Sequence, residues 1–165
     1  GVILGEEKVA QVAKRPIKLD QKKKINALRK RLTLNGRNDL VRHFWVSAAL
    51  AVLSDETRSM TVGVTKELMD AQPGGSGFSF VDLMADQAGN RFAVAATKDD
   101  ESARRMQALL RSKITTSDFL PPIQGIPEGM TAAEFQSDYG GLGGEKTAEV
   151  VDEIQRRLKT CRLLF

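Results

Sequence analysis

Apolar residues recur along this chain at intervals of three and four, and the strict alternation of a half-buried strand is scarce, so the pattern predicts helices. From Asp20, a suitable N-cap, Ile25, Leu28 and Leu32 fall on one face while Lys22, Lys23, Lys24, Arg29, Lys30 and Arg31 occupy the others. Asn35-Gly36 supplies a left-handed turn to end that helix. A second helix, capped by Asn38 or Asp39, runs to about Leu53. Its residues from Phe44 onward are almost all apolar or small, which predicts a central, largely buried helix. A third helix, from about Glu56 to Ala71, carries Met60, Val64, Glu67 and Leu68 at helical spacing, with Gly63 suited to a close crossing.

Gln72 to Gly77 reads as a loop, and Ser79-x-x-Asp82 as a capping box opening a fourth helix to about Thr97. Lys98-Asp99-Asp100 turns the chain into a polar helix ending near Lys113. Pro121, Pro122, Gly125, Pro127 and Gly129 then predict a long irregular surface connection over residues 115–130. Thr131-x-x-Glu134 is a second capping box, and its short helix ends at Gly140-Gly141. Val150, Ile154, Leu158 and Cys161 lay an apolar seam along a last helix. The expected fold is all-α: one helical domain over residues 1–165, an irregular bundle of about five to six helices. Residues 1–19 form a tail or arm, and residues 39–97 form the core motif region.

Composition narrows the chemistry. At 165 residues with 41% hydrophobic and 28% charged positions, the chain is long enough to bury a core and is not of disordered type. Cys161 is its single cysteine, which excludes an internal disulfide and a cysteine-based zinc site. No apolar run approaches the roughly 20 residues of a membrane span. The net charge of +4 is unevenly distributed: residues 1–42 carry 12 Lys/Arg against 4 Asp/Glu, and the remainder is net acidic. The basic helix over residues 14–31 therefore reads either as a solvated face or as a surface for an anionic membrane. Neither an RNA-binding aromatic motif nor zinc-finger spacing accompanies it, so no nucleic-acid partner is expected.

Acidic residues on otherwise apolar segments, with the chain's one histidine, mark the candidate site. Asp39 and His43 are four apart, Glu67 and Asp70 three apart, and Asp82 and Asp86 four apart, each pair sharing a helix face. If these faces converge, the buried groups must satisfy one another, bind a cation or meet water. His43, Glu67, Asp82 and Asp86 are then candidate ligands of a divalent metal ion. Alternatively His43 acts as general base with Glu67 as acid or orienter. Ser76, Gly77, Ser79 and Asp70 are candidate ligand-binding residues, because the Gly-rich turn before a helix can present backbone N–H groups. Each residue also has a structural reading: Asp39 and Asp82 as helix-start carboxylates, His43 as a satisfied core residue, and the Gly-rich stretch as a plain turn. Trp45, Phe78 and Phe80 read as core.

Three motifs together carry a resemblance. They are Asp39-x-x-x-His43-Phe44-x-x-Ser47-Ala48, Lys66-Glu67-Leu68-x-Asp70 and Gly75-Ser76-Gly77-Phe78-Ser79-x-x-Asp82-x-x-x-Asp86-x-x-Gly89. This set resembles the YfiM-type lipoprotein family of bacterial envelopes and, more loosely, VanZ-like membrane proteins. The likeness covers about residues 39–89, and where that family has Asp-Lys-x-x-His this chain has Asp39-Leu40-Val41-Arg42-His43. The resemblance implies a helical fold on the periplasmic side of a bacterial cell envelope, and no established activity. The leading expectation is an envelope-associated soluble helical domain with a buried His/Glu/Asp site for a cation or small polar ligand. The alternatives are a hydrolase of an envelope substrate with His43 as base, and a scaffold whose polar cluster fixes helix packing.

Overall fold

The computed structural model describes residues 23–24, 27–53 and 77–165, and every structural statement below refers to these. They form an all-α fold. In chain order the helices are α1 (Asn38–Leu53), α2 (Phe80–Thr97), α3 (Asp100–Arg111), α4 (Ala132–Tyr139) and α5 (Glu145–Leu158), with 3-10 turns at Thr116–Asp118 and Gly141–Gly143. The expected third helix, with Glu67 and Asp70, lies outside the described residues, as does Ser76.

The central helix is α2 rather than α1. Every residue from Phe80 to Asn90 is buried, including Asp82, Asp86, Gln87 and Asn90. On α1 the buried positions are Leu40, Val41, Phe44, Ser47 and Ala48, one stripe at helical spacing, while Val52 is 59% exposed. Polar residues disguised α2 in the sequence. Those side chains are buried because α2 is surrounded, not because it is apolar. The two helices form the most extensive pairing among the described elements. Gly89 permits it: a Cβ there would lie 1.9 Å from the Phe44 carbonyl oxygen on α1.

Ends form largely where capping chemistry predicts them. The Ser79 hydroxyl accepts the Asp82 N–H at 3.0 Å to start α2. Thr131 and Glu134 close a full capping box on α4, whose C-terminus is left-handed Gly140 (φ 73°). Two expectations are corrected at the start of α1. Asn35 (φ 49°) and Gly36 (φ 76°) form the two-residue turn of a tiny hairpin, in which Leu34 and Arg37 exchange backbone hydrogen bonds of 2.9 Å. The turn therefore follows the basic helix rather than ending it, since helical residues there stop at position 29. The residue preceding α1 is Arg37, so neither Asn38 nor Asp39 is its N-cap; the Asn38 amide instead donates back to the Leu32 carbonyl at 2.8 Å. Of the apolar face expected on the basic helix, Ile25 lies outside the described residues, and Leu28 and Leu32 are 44% and 39% exposed.

The connection over residues 115–130 is irregular but is not a surface excursion. Leu120, Pro121 and Ile126 are buried, and the Phe119 ring meets both Phe44 and Phe92 at 5.9 Å. Without a helix of its own, the segment satisfies its carbonyls through side chains. Asn35 donates to Pro121 O at 2.9 Å, and Arg157 donates to Pro122 O and Gln124 O at 2.8 and 2.9 Å. The segment also docks on the entry to α2 through reciprocal Phe78–Met130 backbone bonds. A second aromatic group, Phe78, Phe80, Phe135 and Tyr139, joins α4 to this entry, with Phe78 and Phe135 stacked 3.9 Å apart. The α5 seam is as expected: Ile154, Leu158 and Cys161 are buried and Val150 partly so.

Candidate functional site

His43 sits between two carboxylates at the α1–α2 contact. Its Nδ1 is 3.2 Å from Asp86 Oδ1, and its Nε2 is 3.4 Å from Asp82 Oδ2. All three side chains are close to nine-tenths buried. The register has a simple cause. Asp82 and Asp86 are one turn apart on α2, so they bracket a ring inserted from α1, and Gly89 one turn further lets α1 approach closely enough to insert it. Ser47, one turn after His43, donates to the same Asp86 oxygen at 2.7 Å. Asp86 Oδ1 thus receives two bonds and is fixed in orientation.

An ionised carboxylate only accepts, so the Nδ1 facing Asp86 carries a proton. Nε2 is then the ring's variable atom. It faces Asp82 Oδ2, and an imidazole nitrogen can donate a proton to a carboxylate or serve as a ligand or base. His43, Asp82 and Asp86 do not point at one centre, because the two carboxylates flank opposite edges of the ring. Consistent with that, no set of three His, Cys, Asp or Glu residues among those described stands ready to hold a metal ion.

Arg37, just before α1, brings a positive charge to the rim, 3.7 Å from Asp82 Oδ1 and 2.5 Å from both Asp39 and Glu128. Asp39 is consequently turned to Arg37, with half its side chain exposed. The Arg37 hydrogen bonds hold the Asp39 carboxyl below the usual carboxylate range, against a smaller opposing effect of burial. In return, bonding to Asp39 holds the Arg37 guanidinium still more firmly protonated.

Of the other candidates, Ser79 caps α2 and Gly77 belongs to the turn before it. Gly77 has φ 89°, and a Cβ would come within 2.7 Å of the Gly129 backbone, so its glycine identity has a packing cause. Glu67, Asp70 and Ser76 lie outside the described residues. Three residues had no assigned role on sequence grounds. Arg37 left no signal. Ser47 is one turn from His43, and Asn90 one turn from Asp86, so a same-face argument would have found both. Asn90 is 3% exposed, and its Oδ1 has no hydrogen-bond partner, nor has Asp86 Oδ2.

Compared with known proteins, the chain matches no protein-family model, no curated protein and no solved structure.

Proposed function

We propose that the His43 cluster is a cation-binding site, with imidazole Nε2 and Asp82 Oδ2 as two ligands and Asp86 as the carboxylate that fixes the ring. The observation that carries this reading is a buried histidine bracketed by two carboxylates, one of them itself seated by Ser47. An Nδ1–H bound to a carboxylate is the usual support of a metal-ligating histidine. The 3.4 Å between Nε2 and Asp82 Oδ2 also suits two donors on one ion, since ligands at zinc distances in a tetrahedron stand about 3.3–3.4 Å apart. Calorimetric titration of the full chain with Zn2+ tests it. His43→Gln and Asp82→Asn should each weaken binding at least tenfold, and Glu67→Gln asks whether the further carboxylate assigned from sequence contributes. Wild-type protein that takes up no divalent ion would remove the reading.

The same orientation of His43 supports a second one, in which Nε2 is a general base toward an envelope substrate. Hydrolysis that needs His43 and proceeds equally with and without chelator would favour it. A purely structural cluster predicts instead that His43→Gln lowers stability and that added ions change nothing. The envelope setting and periplasmic side follow from the motif resemblance over residues 39–89 and are part of the proposal. So is an anionic membrane surface as partner of the basic 14–31 segment. Lys23, Lys24, Lys30 and Arg31 are exposed beside the exposed Leu28 and Leu32, which is the composition of an interfacial helix. Co-sedimentation with anionic but not neutral vesicles at low salt is the expected result.

A further inference from the structure

On the other edge of the histidine, α2 carries a second set of acceptors. Asp86 Oδ2 and Asn90 Oδ1 are both buried, and both lack a hydrogen-bond partner. Their residues are 8% and 3% exposed. They are one turn apart on a single face of α2, with Asp86 held in place through its other oxygen by His43 and Ser47. A carboxylate or amide oxygen left unpaired in a protein interior costs stability, the charged group more than the neutral one. Two on successive turns of the best-buried helix are not explained by helix packing, which would be served as well by apolar residues of similar shape.

We infer that Asp86 Oδ2 and Asn90 Oδ1 form a second, oxygen-only subsite that takes a small hard cation of the Mg2+, Mn2+ or Ca2+ class. Hard cations prefer carboxylate and amide oxygens, with water completing the shell, whereas the Nε2 edge offers the nitrogen that zinc-like ions accept. An anion is disfavoured, because both groups are acceptors and one is charged. The subsite goes beyond the proposed ligation at Nε2 and does not require it, since it uses neither Nε2 nor Asp82.

Mn2+ is the probe, its free fraction read by electron paramagnetic resonance in titrations of the full chain. Wild-type protein should bind Mn2+, and Asn90→Leu should weaken that binding at least tenfold. Without divalent ions Asn90→Leu should melt at the same or a higher temperature than wild type, because an unpaired acceptor has been removed; with Mn2+ only wild type should gain. If Asn90→Leu does not fold, Asn90→Asp replaces it, and the added charge should tighten Mn2+ binding. Unaltered Mn2+ affinity in Asn90→Leu, or no tightening in Asn90→Asp, overturns the subsite. Wild type that ignores Mn2+ yet binds Zn2+ through His43 overturns it as well and leaves the Nε2 reading standing. Loss of Zn2+ binding with Mn2+ binding intact does the reverse.

Discussion

Replacing Gly89 with alanine puts the α1–α2 contact to a test in which two physical effects have opposite signs. Helix propensity alone favours the change by about 1 kcal/mol, because glycine in a helix interior is poorly tolerated. Packing opposes it. The added Cβ would stand 1.9 Å from Phe44 O, 2.7 Å from Phe44 C and 3.0 Å from Phe44 Cα, all backbone atoms that no rotamer change can move aside. An ordinary C···O approach is about 3.3 Å, so α1 must retreat by roughly 1.4 Å. A retreat of that size breaks the 3.2 Å His43–Asp86 contact. Overpacking of this kind costs about 1–3 kcal/mol, and a hydrogen bond to a charged group adds about 1.5–3. After the propensity gain, the net loss is about 1.5–5 kcal/mol. For a chain of this size that lowers Tm by roughly 3–20 °C. Urea denaturation and thermal melts of Gly89→Ala measure it, and divalent-ion affinity should fall with the displaced ring. A variant as stable as wild type, or more stable, would show that the helices are not held at this separation.

Two predictions follow from groups far from the site. Asp118 is held well below its ordinary value of 3.8, first by the Arg162 guanidinium at 2.6 Å and then by the Thr115 backbone N–H. Its contribution is therefore complete above that ordinary value and is lost as pH falls toward the lower folded one. Asp118→Asn should flatten the acid limb of a stability–pH profile, and an unchanged limb would contradict the pairing. Burial pushes the Cys161 thiol from an ordinary 9.0 up to about 11, so the thiol should resist alkylation at pH 8 until the chain is denatured. By the same linkage its stabilising effect is complete below pH 9 and is lost as pH rises toward 11. Rapid labelling of the native protein would contradict its burial.

Much of the architecture was legible because capping chemistry is local. Ser79, Thr131 with Glu134, and Gly140 each fix an end through bonds within a few residues, and such signals survive without tertiary information. What failed depended on neighbours. The burial of α2 cannot be read from a segment holding Asp82, Asp86, Gln87 and Asn90, since only surrounding helices and a docked connection make it central. The 115–130 connection read as surface because its prolines and glycines preclude a helix, yet Leu120 and Ile126 are core and its carbonyls are met by Asn35 and Arg157. In the site, the four-residue spacing of Asp82 and Asp86 predicted a shared face. That they would bracket a ring rather than converge on one point followed only from where α1 crosses, at Gly89.

Because His43 is the only histidine, one spectrum tests the central claim most directly. In protein labelled with 15N at histidine, the two ring nitrogens of this single residue can be followed as Zn2+ is added. Coordination at Nε2 with Asp86 as acceptor predicts a large shift of Nε2 at one equivalent, while Nδ1 keeps its proton and its position. Ring nitrogens that fail to respond to Zn2+ would contradict the site, and a response at Nδ1 alone would contradict the role given to Asp86.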